Sequence, residues 1–188
     1  MNPKPRDFAR DLGIDPAEIQ SIETLSERHG HTILRIVTAT RSYVLKWLPA
    51  TDARVEIQGI LLLLYLGVPT IPLYGHTEQA LMMEDLTQSE TWRLATRADM
   101  GRPEVGRAVA RWYRIFHGAG EAMLTEGKPP DFLKRETDAL TPESIRATGR
   151  ALGLTQNAIW DLAAERIALL KAAIDRLGVT LNYNDFYW

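Results

Sequence analysis

Lys46 is the first residue of this sequence whose type and position suit it to a role in a functional site. It lies in the apolar segment Tyr43–Leu48, in which strand alternation places it on the same face as aliphatic side chains. An ammonium group in that setting suits the α- and β-phosphates of ATP. The alternative is an edge-strand lysine whose long side chain extends its charge into solvent.

Asp185 is the second such residue. It follows the strand-like segment Val179–Leu181 and precedes the aromatic residues Phe186–Trp188, although chain ends are usually polar. A carboxylate in a strand-to-loop turn can accept the proton of a hydroxyl group that attacks a phosphate in line. The alternative is an ordinary loop aspartate.

The composition of the chain excludes several other classes of function. Its 188 residues are 45% apolar and 24% charged, with a net charge of −2, which argues against a nucleic-acid or membrane-surface partner. The absence of cysteine excludes disulfides, thiolate metal sites and cysteine nucleophiles. Met1–Arg10 is not a secretory signal, and the longest apolar run, Ile60–Leu66, is too short to cross a bilayer. We therefore expect a cytoplasmic protein with neither a nucleic-acid nor a membrane partner.

The first half of the chain predicts a small antiparallel sheet with one inserted helix. Short polar connections join the first three strands, as in a meander, and Gly67 ends the helix that follows. The predicted elements are a helix over Arg6–Leu12, strands over Ser21–Leu25, Thr32–Ala39 and Tyr43–Leu48, a helix from Thr51 or Asp52 to Leu66, and strands near Leu73–Tyr74 and over Ala80–Met83.

The second half is predicted to be mainly helical, after the polar connection Leu86–Gly101. We place the boundary between two lobes at about residue 87, which gives 1–86 and 87–188 and an α+β fold class. The predicted elements are a helix from Pro103 to about His117 stopped by Gly118 and Gly120, a helix opened by Thr141 and stopped by Gly153, a helix from Thr155 to Leu177, and a last strand at Val179–Leu181.

This order of parts resembles protein-kinase-like enzymes, and in detail the aminoglycoside phosphotransferase and choline kinase family. The resemblance spans nearly the whole chain, and it implies a nucleotide-binding N-lobe, 1–86, followed by an incomplete helical C-lobe, 87–188, that ends in the catalytic loop. The resemblance depends on four sequence segments: Tyr43–Trp47, Leu81–Leu86, Ala110–His117 and Asn182–Phe186.

The resemblance also implies roles for residues of the N-lobe. Glu56 would orient Lys46, and the alternative is a solvated acid in the first turn of a helix. Met83 would lie at the back of the adenine pocket, while the Glu84 carbonyl and the Leu86 N–H would pair with the adenine edge. The alternative is a strand followed by an acidic surface pair.

In a protein that resembles this family, the turn Ser26–His31 would be the one that covers the phosphates. The backbone around Gly30 could approach them, although the turn holds a single glycine and is not a glycine-rich G-x-G-x-x-G loop. A plain hairpin turn is the alternative.

Asp185 would be the catalytic base of this family, whose loop runs His-x-Asp with an Asn five residues after the Asp. Tyr183 stands at the His position, and the Asn would fall past Trp188. The metal-binding Asp of the family would also lie beyond the end of the chain. We therefore assign no metal ligand within the sequence and expect the Mg²⁺ ligands, and a catalytically active form, in a longer chain.

The sequence thus predicts an ATP-dependent phosphotransferase that moves the γ-phosphate to a hydroxyl of a small molecule, with ATP and Mg²⁺ as cofactors. The acceptors typical of the family are an aminoglycoside, a choline-like amine or an amino-sugar alcohol. One alternative is a catalytically inert kinase-like fragment or pseudokinase that serves as a nucleotide-binding or interaction module. Another is a mixed α/β scaffold with no nucleotide site.

Overall fold

The computed structural model of the chain describes residues 5–127 and 129–182, with side chains described from residue 8 onward. The described residues divide into a first unit, which runs to Gly120 and includes Asn182, and a second unit, Glu121–Leu181. This division falls inside a helix. The predicted lobe boundary near residue 87 remains a prediction.

The first unit is built around a five-stranded antiparallel sheet, in agreement with the prediction. Its spatial order is β1-β2-β3-β5-β4, so the last strand in sequence is an inner strand between β3 and β4. The strands are β1 (Ile19–Arg28), β2 (His31–Thr38), β3 (Ser42–Trp47), β4 (Leu73–His76) and β5 (Ala80–Glu84).

The β1–β2 turn is shorter than the sequence predicts. β1 continues to Arg28 past an irregularity between Thr24 and Ser26, and only His29 and Gly30 form the turn. Both turn residues have positive φ, 52° and 79°. A two-residue turn of this kind matches the twist of its flanking strands, so the strands pair up to the turn itself. The predicted six-residue polar turn Ser26–His31 is therefore wrong in its length.

Helix α2 (Ala50–Tyr65) is inserted between β3 and β4, as predicted, but Pro49 rather than Thr51 or Asp52 is its N-cap. The Asp52 carboxylate contacts His31 instead, at 3.0 Å from its Nε2. The Gly67 stop is confirmed: the helix ends at Tyr65, and Gly67 has a φ of 66°.

Apolar residues cover the sheet on both faces because side chains alternate along each strand. Helix α1 (Pro5–Asp11) packs on one face, and α2 packs on the other. The first cluster contains Ala9, Ile14, Ile19, Leu34, Ile36, Leu45 and Met82. The second contains Leu48, Ala53, Ile57, Leu81 and Met83.

Helix α3 (Pro103–Glu126) passes through the two glycines that were predicted to stop it at His117. Neither Gly118 nor Gly120 has positive φ, so neither adopts the backbone that ends a helix. A glycine inside a helix costs only about 1 kcal/mol relative to alanine, which a long helix tolerates. The Trp112 indole of α3 donates to the Pro69 carbonyl at 2.6 Å and so holds the loop that leads into β4.

The second unit contains helices α4 (Pro142–Ala151) and α5 (Ile159–Ile174). The predicted start of α4 is confirmed, since the Thr141 side chain caps it and Ser144 reciprocates. Helix α5 is shorter than predicted at both ends, since it begins at Ile159 and ends at Ile174. Thr155 does not cap it; the Ile159 N–H donates to the Asn157 side chain just before the helix.

The predicted last strand, Val179–Leu181, is wrong. Residues 178–182 have no strand geometry, because an extended segment becomes a strand only by pairing and no described strand pairs with it. The fold class, α+β with a five-stranded antiparallel sheet, one inserted helix and a helical remainder, is confirmed.

Candidate functional site

Lys46 and Glu56 form an ion pair between β3 and α2. The Lys46 Nζ donates to the Glu56 Oε1, and the two side chains are 24% and 29% exposed. Glu56 lies in the second turn of α2, where it faces the sheet rather than solvent alone. The structure therefore brings together the two residues that the sequence pairs only through the family resemblance.

Strand pairing defines the face of the sheet to which Lys46 belongs, which we call the Lys46 face. Directly paired residues share a face, so the register places the following residues on it: Ile33, Arg35 and Val37 of β2, Ser42, Val44 and Lys46 of β3, and Leu81 and Met83 of β5. Helix α2 buries the β5 side of this face, whereas Ile33, Arg35, Val37 and Val44 remain half-buried. These four residues form the open part of the Lys46 face.

The end of β5 leaves backbone groups without sheet partners. The Glu84 N–H donates to the Pro72 carbonyl at 3.0 Å, and in an antiparallel pair residue 72 would return a bond to the Glu84 carbonyl. Proline has no N–H, so that bond cannot form. Two residues on, the Leu86 N–H has no hydrogen-bond acceptor among the residues that the structure describes. The end of β5 thus offers a hydrogen-bond acceptor, the Glu84 carbonyl, and two residues later a donor, the Leu86 N–H.

Asp85, between these two backbone groups, is a site residue that the sequence did not reveal. It is 3% exposed, and its carboxylate accepts hydrogen bonds from the Ser42 hydroxyl at 2.7 Å, the Arg35 Nε at 2.8 Å and the Thr87 hydroxyl at 2.8 Å. Burial alone would raise the pKa of Asp85, but these hydrogen bonds outweigh it and lower that pKa to about 2.

A partial signal for Asp85 existed in the sequence. A Thr two residues after an Asp favours a turn closed by the Asp side chain. The pairing of residues 35 and 85 depends on the strand order, which local pattern does not fix.

The β1–β2 turn lies at the Lys46 end of the sheet. Ile33 pairs with Lys46, and Gly30 is three residues before it. A Cβ added to Gly30 would lie 3.8 Å from the Pro49 side chain, so the turn packs beside the start of α2. Ser42 and Asp85 lie at the other end of β3, four residues or about 13 Å from Lys46. The Lys46 face therefore has a cationic end near a glycine turn and a second end at the unpaired backbone of β5.

Comparison with known proteins adds little to this geometry. No family model matches the chain, and no curated protein matches it. Among solved structures, it is similar to the aminoglycoside phosphotransferase APH(2″)-IIa in a ternary complex with streptomycin and ATP, with a TM-score of 0.45 and 12% identity. The match covers 97% of this chain but 63% of that one. At this level of similarity the likeness carries no functional conclusion.

Asp185, the predicted catalytic base, lies outside the described residues, as does Tyr183. The Mg²⁺ ions that the family resemblance implies require several oxygen ligands. Within residues 5–127 and 129–182, no three His, Asp or Glu side chains form a group that could hold a metal ion. The described residues therefore provide no preformed group of three metal ligands, and the roles given below are those of side chains and backbone groups alone. In the same ranges, no helix has the length and apolarity that a membrane span requires.

The second unit has a surface recess of about 400 Å³ at the start of α5. Its lining residues are Gly153, Leu154, Gln156, Asn157 and Ala158. None of these side chains titrates near neutral pH, so the recess offers neither an acid nor a base. The Lys46 face remains the candidate site.

Proposed function

We propose that this chain carries the nucleotide site of an ATP-dependent phosphotransferase, which moves the γ-phosphate to a hydroxyl of a small molecule. The observation that carries the proposal is the Lys46–Glu56 ion pair at one end of a half-buried, mainly apolar face whose other end has backbone groups without sheet partners. A nucleotide site needs a cation that binds the phosphates, an apolar surface that covers the flat base, and backbone groups that hydrogen-bond to the edge of the base.

Lys46 binds the α- and β-phosphates in this proposal. Glu56 holds the ammonium group in one orientation through the ion pair. The pair is partly exposed, so phosphate oxygens can reach the ammonium group without displacing Glu56. Gly30 brings its backbone N–H to the phosphates from the turn that packs beside Pro49.

The end of β5 binds the base. The Glu84 carbonyl accepts from the exocyclic amine of adenine, and the Leu86 N–H donates to a ring nitrogen. Met83 closes the back of the pocket, where it is buried under α2. The absence of an N–H on Pro72 supports this role, because it leaves the Glu84 carbonyl available to a ligand.

Asp185 accepts the proton of the acceptor hydroxyl as the catalytic base, and the acceptor is an aminoglycoside, a choline-like amine or an amino-sugar alcohol. These roles rest on the sequence resemblance, as does Mg²⁺ as a cofactor. The lobes 1–86 and 87–188 rest on the change from strands to helices along the sequence, and the cytoplasmic location rests on the composition of the sequence. An inert nucleotide-binding module is the competing function.

Transfer of labelled γ-phosphate separates the two functions. We expect a catalytically active form of the protein to phosphorylate an aminoglycoside or choline, and Asp185→Asn to reduce the rate at least about 10³-fold. Full transfer activity of the Asp185→Asn variant would refute the role of Asp185, and a wild type that binds ATP without transferring phosphate would establish the inert module.

A further inference from the structure

The open part of the Lys46 face has one feature that the proposed function does not explain, a charged residue in its centre. Arg35 pairs with Val44, and Val44 pairs with Met83, so the three residues form one row across β2, β3 and β5. The row lies beside the end of β5, where the proposed base-binding groups Glu84 and Leu86 lie. An arginine at this position has a surface that the ring of a bound base would cover.

The guanidinium group of Arg35 is held at two of its nitrogens. Its Nε donates to Asp85 at 2.8 Å, and its Nη1 donates to Glu23 at 2.7 Å. Asp85 is itself fixed by Ser42 and Thr87. Two carboxylates on different nitrogens fix the plane of the group, and the side chain is 23% exposed rather than extended into solvent.

A planar guanidinium is suited to stack on an aromatic ring. It is weakly hydrated on its faces, and guanidinium planes are used as surfaces on which nucleobases stack. Glu23 and Asp85 together carry more negative charge than Arg35 can offset, so this end of the face does not favour a phosphate group. Lys46, at the other end of the face, does favour a phosphate group.

We propose that Arg35 is a base-binding residue, whose guanidinium, clamped between Glu23 and Asp85, forms the surface on which the purine ring of the nucleotide stacks. This inference rests on the proposed nucleotide site and deepens it. Glu23 is a positioning residue that keeps the plane fixed. The competing explanation is that Arg35 has only a structural role, in which it holds the end of β5 to β2.

Arg35→Lys tests the proposal, because lysine keeps the positive charge between the two carboxylates but lacks the plane. Titration calorimetry in magnesium buffer would measure ATP and inorganic tripolyphosphate binding to the full chain. We expect Arg35→Lys to weaken ATP binding about tenfold and to leave tripolyphosphate binding unchanged.

Arg41→Lys is the matched control, since Arg41 is an exposed arginine of the neighbouring β2–β3 connection. It should bind both ligands as the wild type does. Glu23→Gln provides a second variant should Arg35→Lys not fold, because the Glu23 side chain is 60% exposed and its loss frees only one end of the clamp. We expect ATP binding to weaken by up to about fivefold and tripolyphosphate binding to stay unchanged.

Unchanged ATP binding in Arg35→Lys or in Glu23→Gln would overturn the stacking role. Equal loss of ATP and tripolyphosphate binding in Arg35→Lys would also overturn the stacking role, in favour of the purely structural role. A wild type that binds tripolyphosphate as tightly as ATP would refute base recognition but leave the phosphate site standing. A wild type that binds neither ligand would refute the proposed function itself.

Discussion

At the scale of single residues, the chemistry of the Lys46 face depends on which charges are paired and where. Lys46 and Glu56 are partly exposed and can accept a further ligand, whereas Asp85 is buried and fully engaged by Ser42, Arg35 and Thr87. The first pair is suited to binding, and the second group is suited to holding the end of β5 in place. These two roles predict different consequences of substitution.

Asp85→Asn should destabilise the first unit in a pH-dependent way. The pKa of Asp85 is lowered from its ordinary value of 3.8 to about 2, so its charge stabilises the fold above about pH 4 and that contribution is lost as pH falls towards 2. We expect a loss of about 2 kcal/mol in the free energy of unfolding at pH 7, with little difference between variant and wild type near pH 2. Urea denaturation across this pH range measures both.

Asp131→Asn is the control for Asp85, because Asp131 is an exposed aspartate in the second unit. Its substitution should leave unfolding unchanged within about 0.5 kcal/mol at every pH. Equal effects of the two substitutions at pH 7 would contradict the structural role of Asp85.

At the scale of elements, Pro72 determines whether the end of β5 is available to a ligand. Pro72→Ala supplies the N–H that the antiparallel pair lacks, so the Glu84 carbonyl gains a competing partner. We expect a few-fold weaker ATP binding, unchanged tripolyphosphate binding and a thermal midpoint no lower than that of the wild type. Tighter ATP binding by Pro72→Ala would contradict the role of the carbonyl.

Helix packing in the second unit depends on Gly149. A Cβ at this position would lie 2.6 Å from the Trp160 ring, a contact that neither the rigid indole nor the helix backbone can absorb without moving. Gly149→Ala should therefore destabilise the packing of α4 on α5 by about 1–3 kcal/mol, measured by chemical denaturation.

Gly118→Ala is the matched control for Gly149→Ala. Gly118 is also a helical glycine, but nothing lies within 4 Å of the Cβ position. Alanine has the higher helix propensity, so this substitution should stabilise the protein by about 0.5–1 kcal/mol. Loss of stability in Gly118→Ala would show that α3 is not a continuous helix in solution.

The elements differ in how far sequence could predict them. The sheet and α2 follow from alternation and from the stops at Pro49 and Gly67, signals that act within a few residues. The continuation of α3 through Gly118 does not follow from such local signals, because a glycine permits a helix to end without requiring it to. The strand expected at Val179–Leu181 fails for a further reason, since its extended pattern has no described partner strand.

At the scale of the whole molecule, the α+β class and the position of Lys46 on its sheet face were predictable from the sequence, whereas the chemistry of the base end was not. Asp85 and Arg35 are separated by 50 residues, and only the strand order brings them together. The identity of the acceptor and the role of Asp185, which lies outside the described residues, stay predictions.

The central claim is that the Lys46 face binds the phosphates of ATP. Calorimetric titration of ATP in magnesium buffer into the wild type, Lys46→Ala and the control Lys134→Ala tests it most directly. Lys134 is an exposed lysine of the second unit, so it matches the change in charge without touching the site.

We predict that the wild type binds ATP, that Lys46→Ala weakens binding at least about tenfold through the loss of a charge-assisted bond to phosphate, and that Lys134→Ala binds as the wild type does. Thermal denaturation of the three proteins would establish that each is folded. Equal ATP affinity in the wild type and Lys46→Ala, or no binding by the folded wild type, would contradict the claim.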